Sequence, residues 1–424
     1  MTHLLRSTTG RNTLLIGAGL TFKLAMQALS FAIIAPTLGS ANFGLYASFL
    51  AISNVVGPFV DMGTYGLVVR DMNRGISARQ AISSNVVLTV LLAPAGLLIF
   101  ALIAWVTIPD VPIWSGITIA AGMMLGLKMY NLARAIFIGA GTVWKVSVLE
   151  VNLALFQLVA ALALRYLAGT FNMWATLVFI QNALIGLVAV VWLTRLYGLP
   201  HPHLSGVPII SRVREGLHFA VSGAAGTLGS EADKMLLPRL AGLESTGLYG
   251  AAQRIIAVSA VPITALSTSV YSRYFSAAEA GGGYAASRCV ANRIALPILA
   301  YSATVAAVLW LVAPYALLLF GPSYSGIETA IRLLAVLSII LALQLPFGDA
   351  LTGSGNQHIR TRYQIGALVL NLLLNLLLVP LIGWLGAVYA ALISQTLFLA
   401  ALFFHHDRKE DGHGNPTPPR SSDL

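Results

Sequence analysis

Long apolar runs separated by short polar breaks fill almost the whole chain. Runs of about 20 residues or more, enough to cross ~30 Å of hydrocarbon, fall at 12–37, 43–69, 82–108, 113–138, 145–166 and 173–197. Six more follow at 213–238, 246–272, 294–320, 326–352, 363–383 and 386–404. The pattern predicts an all-α polytopic membrane protein with twelve transmembrane helices, six in each half. Between the halves, Pro200, Pro202 and Pro208 suit an extended linker. The polar, proline-rich end suits a disordered tail. The expected domains are a first lobe over 1–197, a linker over 198–212, a second lobe over 213–404 and a tail over 405–424.

The second half repeats the first. Pro36 to Ile52 read PTLGSANFGLYASFLAI, and Pro238 to Ile255 read PRLAGLESTGLYGAAQRI. In each copy a proline closes an apolar run, a short turn holds a glycine (Gly39, Gly242), and Gly-Leu-Tyr opens the next run. Tyr46 maps onto Tyr249 at an offset of 203. A later echo, Gly139-Ala140-Gly141 against Gly353-Ser354-Gly355, has an offset of 214, so the second half carries an insertion between the two marks. An even number of spans in each half makes the copies parallel repeats about an axis along the membrane normal, with a cleft between them.

Polar side chains inside the spans are costly and should face that cleft or a protein interior. In the first helix Lys23, Gln27 and Ser30 form one stripe, and in the second Tyr46, Ser53, Gly57 and Asp61 share a face. The seventh carries Ser222, Gly226, Ser230 and Asp233 on one stripe, with Glu231 and Lys234 beside it. The eighth carries Tyr249, Gln253 and Arg254. The two repeats thus present their most polar helices in equivalent places. The candidate cavity residues are Lys23, Gln27, Tyr46, Asp61, Asp233, Lys234, Tyr249 and Arg254.

Lys23 lies ~16 Å from the cytoplasmic end of its helix at 1.5 Å per residue, beyond easy snorkelling. Asp61 is at a comparable depth, so a Lys23–Asp61 pair is expected. It is either a structural ion pair or a site where Lys23 meets an anion and Asp61 holds it or exchanges protons. Lys128 falls within the fourth helix, and Arg134 and Glu150 are placed to bridge the fourth and fifth. Asn371 and Asn375 are expected to hold neighbouring helices. Pro58 and Pro262 should kink helices 2 and 8.

Composition supports the membrane reading, with 57% hydrophobic residues, 9% charged and a mean hydropathy of +0.82. The net charge of +10 comes from basic residues scattered singly between apolar runs, unlike the patches that bind nucleic acid. Eighteen basic residues fall in the N-terminus, alternate loops and tail, against Arg165 and Arg239 in the opposite loops. This asymmetry puts both termini in the cytoplasm. The first apolar run contains Lys23 and is too long for a cleaved signal, so it counts as a span.

Cys289 is the lone cysteine, no Walker loop occurs, and the histidines have no metal-ligand spacing. No metal or other cofactor is expected. The outer loops are too short to carry the acid/base groups of a glycan-building enzyme. That leaves transport rather than catalysis.

Four stretches carry a family likeness: LGSANFGLYASFLAI with DMGTYGLVVR, SEADKMLLPRLAGLESTGLYGAAQRI, LFGPSYSG, and LTGSGNQHIRTRYQ with LIGWLGAVYAALIS. The chain resembles polysaccharide flippases of the Wzx type, in the multidrug/oligosaccharidyl-lipid/polysaccharide (MOP) exporter superfamily. The resemblance implies a V-shaped molecule with a central cavity lined by helices 1, 2, 7 and 8. It implies an isoprenoid-diphosphate-linked oligosaccharide as cargo, a repeat unit of O-antigen, exopolysaccharide or capsule. It also implies a bacterial inner membrane and leaves room for a glycan polymerase or assembly complex as partner. Related lipid II flippases use a basic residue in helix 1, which Lys23 matches by helix and depth. They also carry additional C-terminal helices missing here, which argues against lipid II as cargo. The rival is a MATE-like multidrug or cation antiporter; a basic residue deepest in the cleft favours an anionic cargo.

Overall fold

A computed structural model of the chain describes residues 8–109, 111, 113–167, 169–198 and 209–405. The three linker prolines and the tail beyond 405 lie outside the described residues. Among the described residues the secondary structure is helical throughout. The helices are α1 (Thr8–Asp61), α2 (Thr64–Asn73), α3 (Ala78–Thr107), α4 (Ile113–Ala121), α5 (Lys128–Gly139), α6 (Val143–Tyr166) and α7 (Phe171–Tyr197). Then come α8 (Ile209–Ser259), α9 (Val261–Ala277), α10 (Gly283–Val312), α11 (Ala316–Phe320), α12 (Ile327–Gly353), α13 (Gln357–Ile382) and α14 (Trp384–Phe403). A π-helical turn, Gly122–Leu127, joins α4 to α5.

Nine helical stretches among the described residues are long and apolar enough to cross a membrane, or ten when a pair bent by 44° is taken as one span. Eight of them match expected spans singly. The other two are double. Phe22–Met72 runs 51 residues, or roughly 76 Å if straight, more than twice the hydrocarbon thickness.

Ion pairs show that α1 doubles back. Lys23 and Asp61 would lie ~57 Å apart on a straight helix. Yet Lys23 pairs with Glu150, which Arg134 also holds, while Asp61 pairs with Lys128. Lys128 and Arg134 share α5 and are separated by only ~9 Å of helix rise. The reversal falls at Gly39, with φ 72° and ψ 169°, and Gly242 in α8 has nearly the same conformation, φ 85° and ψ 170°. Only glycine adopts that region without large strain. The two glycines marked as equivalent turns in the sequence therefore share one backbone geometry.

The proline expectations also find local counterparts. The 44° bend separates Ser211–Ser259 from Val261–Ala280, beside Pro262. Pro58 lies one turn before the break between α1 and α2, where Met62 and Gly63 have φ 47° and 67°.

Contacts group the chain into two units, Met1–Gly247 with Leu319–Ser323, and Leu248–Leu318 with Tyr324–Leu424. In the first, α1 packs on α3 and α6, α2 on α5, and the α4–π–α5 segment on α7. Phe49, Phe100, Phe137 and Trp174 are fully buried there. In the second, α10 packs on α12, α13 on α14, and α9 on α10 and α12. Leucines and valines along the spans stay exposed, as a lipid-facing surface requires. Trp105 and Trp114, each 75% exposed, flank the short α3–α4 connection, where amphipathic rings favour the membrane interface.

Candidate functional site

Charged side chains of α1, α5 and α6 in the first unit form two groups. Glu150, on α6, is buried and accepts from Lys23 Nζ on α1 and lies 2.9 Å from Arg134 Nε on α5. The Arg134–Glu150 bridge is the one the sequence suggested. Arg134 also lies over the Tyr130 ring, 5.7 Å from its centroid.

Asp61 pairs with Lys128 at 2.9 Å. Its Oδ1 accepts from the Gly63 backbone N–H at 3.2 Å, and its carbonyl accepts from Thr64 Oγ at 2.6 Å. Asp61 thereby secures the start of α2, where a carboxylate is favoured by the exposed N–H groups. The expected Lys23–Asp61 pair does not form. The π-helical turn before Lys128 shifts the helix register by one residue, and Lys128 takes the aspartate, leaving Lys23 to Glu150. Three cations (Lys23, Lys128, Arg134) face two carboxylates (Asp61, Glu150), a balance of 3 − 2 = +1.

Burial separates the Glu150 group by sign, though not the other pair, where the Lys128 and Asp61 side chains are 14% and 12% exposed. The side chains of Lys23 and Arg134 are 23% and 33% exposed, whereas that of Glu150 is 5% exposed. The cations reach open space and the carboxylate sits behind them. Gln27 is half-buried one turn along α1 from Lys23. Tyr46 is half-buried in an aromatic cluster, 5.4 Å from the Trp174 ring and 6.2 Å from Phe43.

On α8, Ser222, Gly226 and Ser230 are exposed while Asp233 is buried. Lys234 pairs with Glu231, whose Oε1 accepts from Asn54 Nδ2 at 3.4 Å. Tyr249 and Arg254 belong to the second unit. Tyr249 is fully buried and its hydroxyl accepts from Gln253 at 3.2 Å, and Arg254 is exposed.

A further cluster joins α2 to the start of α8. Asp71, 2% exposed, receives the buried Arg212 and also Arg70, and Arg70 reaches Glu215 at 2.6 Å. In the sequence Arg70 and Arg212 counted only as cytoplasmic-side basic residues, and Asp71 and Glu215 were not singled out. The sequence marks Glu150 and Lys128 as charges inside apolar runs but not which partner each takes. A charge inside an apolar run needs an opposite charge at its own depth, and these two are the partners available on neighbouring spans. No group of three or more potential metal ligands occurs among the described residues.

Comparison with known proteins bears on the family and the fold. A family model described as polysaccharide biosynthesis protein matches residues 9–279. No curated protein sequence matches the chain. An inward-facing multidrug resistance MATE family transporter of the MOP superfamily aligns with a TM-score of 0.70 at 14% identity, covering 92% of this chain and 96% of that one. The lipid II flippase MurJ in an inward closed conformation aligns with a TM-score of 0.70 at 11% identity, covering 92% and 87%. A MOP superfamily transporter from Pyrococcus furiosus, described as having a binding pocket of reverse polarity, aligns at 0.61 with 16% identity, covering 95% and 98%. These likenesses establish a MOP-type transporter fold.

Proposed function

We propose that this chain, which belongs to the polysaccharide biosynthesis protein family, carries an isoprenoid-diphosphate-linked oligosaccharide from the inner to the outer leaflet of a bacterial inner membrane, with both termini cytoplasmic. The observation that carries the reading is the α1/α5/α6 charge cluster, in which three cations face two carboxylates. A diphosphate and a glycan are both too polar for hydrocarbon. A basic, wet path replaces their hydration while the lipid tail stays in the bilayer. Lys23 receives the phosphates first, with Gln27 beside it. Lys234 and Arg254 are proposed as later basic contacts, and Tyr46, Asp61, Asp233 and Tyr249 as further cavity groups.

An inside-negative potential pushes an anion outward with about 2.3 kcal/mol per charge per 100 mV. Export of a doubly charged headgroup therefore need not require a coupled ion, and proton exchange through Asp61 or Asp233 is the alternative. A glycan polymerase or assembly complex would take the cargo on the far side.

Replacing Lys23 by Ala is expected to abolish glycan export, read as loss of surface polysaccharide, while the protein still inserts at normal levels. Normal export by that variant would remove Lys23 from the mechanism. The second reading, a multidrug antiporter, draws on the MATE likeness. It predicts raised drug resistance on overexpression, and the flippase reading predicts none.

A further inference from the structure

The geometry points to Glu150 as an internal stand-in for the cargo's phosphate, holding Lys23 and Arg134 when the transporter is empty and ceding them when a diphosphate binds. This rests on the flippase reading of the same site. Two donors from different helices, α1 and α5, converge on one carboxylate of a third, α6. A carboxylate that takes a charge-assisted hydrogen bond from Lys23 and an ion pair with Arg134 offers what a phosphoryl group offers: oxygens carrying delocalised negative charge. Arg134 faces Glu150 with its Nε, at 2.9 Å but outside hydrogen-bonding geometry, and that nitrogen carries only one of the five N–H donors on a guanidinium.

The exposure pattern gives the exchange a direction. Glu150 lies behind its two cations, so an anion arriving from open space meets Lys23 and Arg134 first. It need not displace a solvent-facing acid. A transporter must also return without cargo. Lys23 and Arg134 without counter-charge at membrane depth would make that return state costly, and Glu150 supplies the charge. Lys128 and Asp61 keep their own pairing throughout, because Asp61 is also committed to the start of α2. In the empty state the set carries +1; without the Glu150 charge it would carry +2 (three cations against Asp61 alone).

The test uses the full chain in lipid vesicles, with farnesyl diphosphate and inorganic pyrophosphate as probes. Glu150→Gln is expected to bind a diphosphate about tenfold more tightly, and to move a preloaded lipid once while losing repeated turnover. Tightening with either probe upholds the assignment, and the preferred probe distinguishes a lipid headgroup from free diphosphate. Binding that is unchanged or weaker in Glu150→Gln overturns it, because Glu150 would then be a bystander or the support that positions Lys23. Where Glu150→Gln fails to insert, Glu150→Asp draws the carboxylate back from both cations. It should show a smaller tightening and partial turnover, and unchanged or weaker binding again overturns the idea. Wild-type protein that binds neither probe defeats the flippase reading itself, independently of Glu150.

Discussion

Five charged side chains from α1, α5 and α6 meet inside the membrane-spanning part of the first unit. In the second, interior polar groups are mostly neutral: Gln344 donates to Gln395 at 2.9 Å, and Asn371 to Ser394 at 3.4 Å. Its Asp349–Arg360 pair, at 3.0 Å, joins the end of α12 to the start of α13, where Arg360 is near enough to a helix end to be hydrated. Both units are helical. Neutral amides can tie helices together at little desolvation cost, whereas buried charges are expensive even when paired. On the proposed flippase reading, the charges kept at depth in the first unit are the candidate contacts for an anionic cargo.

Removing a carboxylate from each unit sharpens the contrast, and the largest effect is expected at Asp71. It is 2% exposed and holds the buried Arg212; taking one partner from a buried pair costs about 3–5 kcal/mol. Asp71→Ala should lower the thermal midpoint of the purified protein far more than Asp349→Ala, whose partner Arg360 keeps 29% of its side chain exposed. Equal losses would mean that the burial of the partner is not what sets the cost.

Close backbone approach gives the next effect. A Cβ at Gly44 would lie 2.0 Å from the Leu243 carbonyl oxygen, and one at Gly247 would lie 1.8 Å from that of Ser40. The two contacts are related by the repeat, since 40 + 203 = 243 and 44 + 203 = 247. At Gly226 nothing lies within 4 Å. Gly44→Ala and Gly247→Ala should each destabilise by about 1–3 kcal/mol, and Gly226→Ala should not. If all three behave alike in thermal unfolding, the helices do not need to touch there.

Much of this architecture was readable before any coordinates. Twelve apolar runs, the equivalent turns at Gly39 and Gly242 and the bend beside Pro262 all follow from local chemistry: hydropathy, positive φ and a missing N–H. Charge pairing was only half readable. The Arg134–Glu150 bridge follows from two charges at facing helix ends. The choice of Lys23 for Glu150 and of Asp61 for Lys128 depended on the π-helical turn at Gly122–Leu127, which rotates Lys128 by a register no hydropathy pattern reveals. Tyr46 shows the same limit. Its position on the polar face of helix 2 is evident from the sequence, but its contact with Trp174 is set by how α7 packs.

The smallest effect is expected where the second unit relies on amides. Asn371 and Asn375 were both expected to bridge helices, yet they play different parts. Asn371 Nδ2 crosses to Ser394 on α14, while Asn375 Nδ2 turns back to the Asn371 carbonyl at 2.9 Å and to its Oδ1 at 3.1 Å. Interhelical hydrogen bonds in membranes average about 0.6 kcal/mol. Asn371→Ala should therefore shift the thermal midpoint slightly and leave export intact, whereas Lys23→Ala should remove export. A loss of export from Asn371→Ala with an unchanged midpoint would place cargo handling in the second unit too. The contrast between a charged first interior and a neutral second one would then no longer locate the transported headgroup.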